Sequence, residues 1–463
     1  MKEAIVCLLE DDLINGLKYD LNSKYIIKFL HRFNIKVPKV NILGTSKANI
    51  SEIVNNRDNL DIIIVSGGTG QKHSAQTYET IAECLNVKLV ESNLVDETCK
   101  CTNRVFVLPE NAIILNCESG KFPIVKMDNI YFLPGCPVHL RAALNQFQKH
   151  FLSITDTFVY SRYLHVKSNS PKIQELFNEV VDAFKTVEVS INSSEERTNF
   201  TITLESTILK DIIFVENYIK GKLKELRMIQ EIRCDMLAVY DFARTSNVFL
   251  ESIKVLEKCF VTYKPDEIFL SFNGGKDCTV LLYLAIAVFN HRILQESSTK
   301  IQCVYIQSKE EPFDEIVQFI EETIESYKLP FITIKGTIQE ALTDILESEP
   351  KYKAVLMGTR RSDPFSETLE AFQMTDKNWP QIMRVSPILD WSYSDVWDFL
   401  HQLQIPYCSL YDQGYTSLGH KNNTDFNSAL HTKNGYLPAY FLEDGSLERQ
   451  GRANNNSKNI QSS

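Results

Sequence analysis

Hydrophobic positions along the chain change period repeatedly, and the changes predict alternating strands and helices. Residues 4–9 form a short apolar run, the mark of a strand. Ile26, Ile27, Leu30 and Phe33 then recur at helical spacing across 22–33. Residues 61–66 read Asp-Ile-Ile-Ile-Val-Ser, a β-branched run typical of a buried strand. It ends in Gly67-Gly68-Thr69-Gly70 and a polar helix start. Residues 130–133 predict another strand, closed by Pro134-Gly135-Cys136-Pro137 ahead of a helix. This alternation over residues 1–150 predicts an α/β domain.

The pattern is weaker over 151–235. Residues 199–204 alternate as a strand, and 209–228 read as a helix. We expect a small α+β connector with a helical lead-in. Alternation returns over 236–450. Strands are expected at 267–272, 301–306, 331–335, 354–357 and 383–388. Helices are expected at 278–290, 312–327 and 394–402, and Thr337 with Glu340 predicts a capping box. The expectation is a doubly wound α/β domain with ligands at the C-terminal strand ends. Residues 453–463 are low in complexity and expected to be disordered.

Composition narrows the classes. The 463 residues are 44% hydrophobic and 23% charged, with a net charge of −10. That balance suits a globular protein and argues against nucleic acid as a partner. The apolar runs are too short to span a bilayer, and the N-terminus reads as a strand rather than a signal peptide, so a cytoplasmic protein is expected. The 11 cysteines are scattered, and the close pair Cys99 and Cys101 is poorly spaced for zinc, so reduced thiols are expected.

Four stretches carry candidate chemistry. Ser271-Phe272-Asn273-Gly274-Gly275-Lys276-Asp277 lies between a strand and a helix. Glycines there let backbone N–H groups approach phosphate, and the helix N-terminus adds positive potential. Lys276 would neutralise phosphate; Asp277 would either hold Mg²⁺ or orient the loop. The stretch is not a Walker A loop. It resembles the PP-loop of ATP pyrophosphatases and phosphoadenylylsulfate reductases. The second stretch, Gly358-Thr359-Arg360-Arg361-Ser362-Asp363-Pro364-Phe365, offers two arginines for phosphate and a carboxylate for metal or ribose. In the third, 373–380, Trp379 either stacks on a flat ring or covers the core edge. The fourth holds Arg449 and Arg452, three apart, which on residue type alone read as a solvated end.

In this order the stretches resemble eukaryotic FAD synthase (FMN adenylyltransferase). Thr375-Asp376 with Trp379-Pro380, Arg384, and Gly414-Tyr415-Thr416-Ser417-Leu418-Gly419 add to the match, which spans 236–452. The resemblance implies transfer of AMP from ATP to FMN, with FAD as product and Mg²⁺ as metal at Asp277 and Asp363. It assigns Asn273, Gly274, Gly275, Lys276 and Asp277 to the ATP phosphates, with Ser271, Gly358, Arg360, Arg361 and Asp363 around them. Asp376, Trp379 and Arg384 would form a flavin loop, and Arg449 and Arg452 would reach back to the substrates. Flavoprotein clients are conceivable partners. Two alternatives stand beside it: a phosphoadenylylsulfate reductase-like enzyme using Cys408, and a non-catalytic flavin- or nucleotide-binding protein.

Residues 1–150 resemble the molybdopterin-binding domain that precedes animal FAD synthases, through Glu10-Asp11-Asp12, Asp20-Leu21-Asn22, Gly67-Gly68-Thr69-Gly70 and Leu133-Pro134-Gly135. Relatives have been linked to FAD hydrolysis by this domain. Here residues 71–77 lack the family's acids and Glu10 replaces a glycine. The expectation is therefore a degenerate scaffold or a homo-oligomerisation module.

Overall fold

The computed structural model describes residues 2–68, 74–95, 105–115, 124–167, 172–193, 199–226, 229–230, 236–293 and 300–452. Expectations for Thr69 to His73, for Cys99 and Cys101, and for 453–463 lie outside the described residues. The chain divides into two compact units, Met1–Val159 and Tyr160–Ser463.

In the first unit the strand Lys2–Leu9 pairs in parallel with the edge strand Ile35–Leu43 on one side and Ile62–Gly67 on the other. Ile130–Leu133 continues the sheet in parallel, and Ile124–Met127 and Ile113–Leu115 extend it antiparallel. The run from Ile62 to Val65 is buried throughout, as a strand covered on both faces must be. The helix expected at 22–33 is Ser23–Arg32, which buries Tyr25, Ile26, Phe29 and Leu30. Gly67 has φ +94°, and a Cβ there would meet the Leu9 carbonyl oxygen at 2.4 Å, so only glycine lets the strand end there.

The second unit opens with an antiparallel sheet. Its strands run in the order Glu188–Ser193, Asn199–Ser206, Tyr160–Lys167 and Ile229–Gln230. Helices Lys172–Ala183 and Leu209–Glu225 pack Ile173, Leu176, Val180, Ile212, Val215 and Ile219 against Leu164, Val166, Ile202 and Leu204. The stretch expected to be a connector thus has its own core. Its first strand buries alternate residues, but one of them is Arg162, which hides the period-two signal.

Helices Met236–Ala243 and Asn247–Thr262 lead into the large sheet. Its strands are β1 (Ile268–Ser271), β2 (Gln302–Gln307), β3 (Phe331–Lys335), β4 (Ala354–Leu356), β5 (Phe372–Met374) and β6 (Met383–Val385). Their order is β3-β2-β1-β4-β6-β5, all parallel except β5. Residues 373–374, expected in a loop, belong to β5. Four helices accompany the sheet: α1 (Lys276–Ile293), α2 (Asp314–Tyr327), α3 (Ile338–Ser348) and α4 (Tyr393–Gln402). The capping box of α3 forms as expected, Thr337 Oγ1 accepting from the Glu340 N–H and Glu340 from the Thr337 N–H. From β1 the chain winds toward β2 and β3; from β4 it winds the other way. The crevice between the C-terminal ends of β1 and β4 is therefore the switch point where α/β sheets bind ligands.

Candidate active site

The two phosphate-type loops emerge side by side at that switch point, because β1 and β4 are parallel neighbours. After β1, which ends at Ser271, the chain turns at Asn273, whose side chain accepts from the Gly275 N–H at 3.0 Å. Gly274 has φ +72°, and a Cβ there would lie 2.9 Å from Ile320 of α2. The turn is thus pinned against a neighbouring helix at a position only glycine fits. α1 begins at Lys276, so the positive end of the helix stands at the end of β1 beside the crevice. After β4, Gly358 passes so close to α1 that a Cβ would come within 3.0 Å of the Cys278 amide nitrogen.

Beneath the crevice lies a buried ion cluster. Arg360 is fully buried, and its Nε stands 2.6 Å from Asp277 Oδ1. Lys276 Nζ stands 3.0 Å from Asp277 Oδ2. Glu448 joins both cations, one carboxylate oxygen on Lys276 and the other on Arg360. Burial pushes the Asp277 carboxyl up, but the charges of Lys276 and Arg360 outweigh it and hold the group below its ordinary range. Tyr411 accepts the Lys276 backbone N–H at 2.9 Å, and the rings of Tyr393 and Tyr411 lie 5.2 and 5.7 Å from Lys276 Nζ. Lys276 and Arg360, expected to face phosphate directly, are therefore seated on carboxylates here.

Asp363 sits above the cluster. One oxygen accepts the Arg360 N–H at 2.9 Å; the other is 3.9 Å from Arg449. Burial, together with the nearby Asp277 and Glu448 charges, raises its carboxyl above the ordinary value. Arg361 turns away from the crevice. It reaches Asp390 at 2.7 Å and the carbonyls of Glu367 and Leu369 at 3.0 Å each, which makes it a strap across its own loop.

The expected flavin residues lie on β6 and on the turn between β5 and β6. Asp376 is exposed, its carbonyl accepting from the Trp379 N–H. Trp379 is half-buried against the cluster of Phe269, Val304 and Val355, which favours the core-edge alternative for much of its ring. Arg384 donates to the Met374 carbonyl at 3.3 Å. In the tail, Arg449 is 44% exposed and its sole ion-pair contact among the described residues is the distant one to Asp363. Arg452 donates to the Leu418 carbonyl at 2.7 Å, passing Gly419 where a Cβ would collide with it. Burial and the adjacent Arg449 charge lower the Arg452 pKa.

Sequence reasoning missed Glu448, Tyr411 and Tyr393. Glu448 directly precedes Arg449, so the signal was there, but a glutamate in a polar tail looks solvated until the fold buries it. Cys408, the thiol a reductase would need, is buried and pushed up to about 12 by that burial, unsuited to act as a nucleophile.

A doubly wound sheet with two phosphate-type loops at its switch point defines a PP-loop nucleotide-binding protein. Residues 267–351 and 337–426 match the phosphoadenosine phosphosulfate reductase domain, and residues 5–153 match the probable molybdopterin binding domain. A probable FAD synthase of Schizosaccharomyces pombe is 44% identical over 207 residues, 44% of this chain and 78% of that protein. A probable FAD synthase of Caenorhabditis briggsae is 29% identical over 98% of this chain and 97% of its own length. The Candida glabrata FMN adenylyltransferase structure in complex with FAD and inorganic pyrophosphate is 28% identical, covers 48% of this chain and 95% of its own, with TM-score 0.43. The chain belongs to the FAD synthase family. Among the described residues no helix is long and apolar enough to cross a membrane.

Proposed function

We propose that the chain transfers AMP from ATP to the phosphate of FMN, forming FAD and releasing pyrophosphate. The observation that carries this reading within the site is the pairing of Arg449 with Arg452 at the crevice. Beyond the effect of burial, Arg449 lies close enough to lower the Arg452 pKa by its charge, and its ion-pair contact among the described residues is Asp363 at 3.9 Å; two such like-charged neighbours favour an anion between them. A triphosphate laid along the N-terminus of α1 supplies that anion.

An FMN phosphate oxygen attacks the α-phosphorus, and the α–β bond breaks to leave pyrophosphate. The attacking phosphate is already anionic, so positioning and charge neutralisation do most of the work. The backbone at Asn273, Gly274 and Gly275 cradles the phosphates. Lys276 and Arg360 supply positive potential from below, and Arg449 and Arg452 hold the leaving pyrophosphate. Asp376, Trp379 and Arg384 hold the flavin.

Mg²⁺ fits one of its two expected ligands. Such an ion keeps waters and takes one or two carboxylates plus substrate phosphates. Asp363 is partly exposed and fits; both Asp277 oxygens already face cations, so a metal there requires Lys276 or Arg360 to let go. Among the described residues no group of three or more His, Cys, Asp or Glu could hold a metal. Asp363 would hold the ion beside the substrate phosphates, where it would offset phosphate charge. Val40 and Ile42, exposed on the edge strand Ile35–Leu43, support self-association through the first unit.

The test is purified protein with FMN, ATP and Mg²⁺, following FAD by chromatography and pyrophosphate in parallel. Equal formation of both, lost on Arg449→Ala, is the expected result. Pyrophosphate without FAD would mean a different acceptor.

A further inference from the structure

Arg162 occupies a position where an apolar residue would serve the fold as well. It shares one face of the strand Tyr160–Lys167 with Leu164 and Val166, and it is 5% exposed. A buried ion pair adds little stability over well-packed apolar residues, so its partners indicate its use.

Those partners belong to the domain that holds the phosphate loops. Arg162 Nη1 donates to the Tyr407 carbonyl, 245 positions later, at 3.0 Å. Its Nη2 stands 3.0 Å from Asp412 Oδ2, and the guanidinium lies 5.3 Å from the centre of the Tyr407 ring. The Tyr407 hydroxyl donates to the other Asp412 oxygen at 3.0 Å. Both ends of the segment 407–412 are thus tied to one buried guanidinium. Tyr411 lies between them, in the turn Ser409–Gln413. Its phenol oxygen accepts the N–H of Lys276, the first residue of α1. A shift of the segment therefore moves that acceptor away from the start of the helix that follows the phosphate turn.

A second tie ends at the same turn. Lys220, on the helix Leu209–Glu225, stands 2.7 Å from Glu216 and 2.8 Å from Glu322 of α2. Glu216 is also 3.5 Å from Arg162, so the two ties share a carboxylate. α2 carries Ile320, the side chain that lies against Gly274. A cavity of about 150 Å³ opens between these elements, lined in part by Arg162, Glu216, Lys220 and Glu322. Around it, ion pairs rather than continuous apolar packing join the antiparallel sheet and its helix to α2.

We infer that Arg162 is a positioning residue for the ATP phosphate turn at 273–276, acting through Asp412 and Tyr411. The inference rests on the FAD synthase reading above. Arg162 touches no substrate. It fixes the place where Tyr411 meets the start of α1, and the sheet at 160–230 is thereby a support of the ATP site.

The experiment uses the full chain and measures ATP and FMN Kd by calorimetry, the rate of FAD formation, and thermal unfolding. The variants are R162K, R162M/D412N, Y411F and the triple R162M/D412N/Y411F. R162M/D412N removes both charges of the pair, so neither is left buried alone. Its melting temperature should stay near that of the wild type, while the ATP Kd rises about tenfold and the FMN Kd does not change. Y411F should weaken ATP to the same extent, and the triple variant no further, because one link is broken in each. R162K keeps the charge but not the two-pronged grip and should fall between wild type and R162M/D412N. An ATP Kd of R162M/D412N equal to that of the wild type overturns the inference, as do losses that multiply in the triple variant or fall equally on ATP and FMN. Should R162M/D412N not fold, R162K carries the same test, and an unchanged ATP Kd there overturns the inference. Wild-type protein that binds ATP and FMN but forms no FAD overturns the synthase reading, and the ATP comparison then still decides the role of Arg162.

Discussion

Arg360 and Glu448, 88 positions apart in the chain, form an ion pair inside the molecule, with Arg360 fully buried. The same carboxylate reaches Lys276, the first residue of α1. One acid in the tail thus joins both phosphate-type loops. Removing one partner of a buried pair leaves an uncompensated charge and costs about 3–5 kcal/mol. Glu448→Ala is therefore expected to lower the unfolding free energy in urea by an amount in that range, and to reduce AMP transfer. A variant with unchanged stability would mean that Glu448 is solvated in solution.

Gly274 combines φ +72° with a close neighbour in Ile320. Gly274→Ala should cost about 1–3 kcal/mol of stability from the strained backbone alone, and it should weaken ATP binding as the turn shifts. Adding Ile320→Ala relieves the contact but not the φ, so the double variant should recover ATP affinity only in part. Full recovery would assign the whole effect to the steric contact.

The Asp277 carboxyl is raised by burial but lowered more by Lys276 and Arg360, so its folded pKa lies below the unfolded one. Its contribution to stability is therefore present above the ordinary carboxylate pKa and is lost as pH falls through the depressed folded value. The stability gap between wild type and Asp277→Asn should be widest near about pH 7 and shrink toward about pH 3. Denaturant titrations at several pH values measure it; a gap independent of pH would contradict the pairing.

Arg449 and Arg361 separate binding from scaffolding. Arg449 is 44% exposed with a partner no nearer than 3.9 Å, so Arg449→Ala should change stability by less than about 0.5 kcal/mol. AMP transfer should nevertheless fall on the order of a hundredfold. Arg361→Ala should instead loosen the loop it straps, lowering the melting temperature together with activity. The reverse assignment in paired stability and rate measurements would exchange the two roles.

The sequence carried much of the site because local chemistry demands particular residues. Asn273 and Gly274 are legible since a strand-to-helix turn with positive φ has few solutions. The motif 360–365 is legible through its order after a buried strand. Trp379 is not legible as stacking or covering, since no local signal tells which side of a ring is packed. The sheet at 160–230 was only half legible because Arg162 occupies an inward position.

The alternation of apolar runs, by itself, determined two α/β regions and placed the phosphate-type loops at strand ends, because burial periodicity and backbone sterics act over a few residues. Only the tertiary structure decided which charges meet. Glu448, Tyr411 and Arg360 are brought to Lys276 from distant parts of the chain. Whether Arg360 faces phosphate or carboxylate depends on that long-range packing and on the cost of leaving a buried charge unpaired.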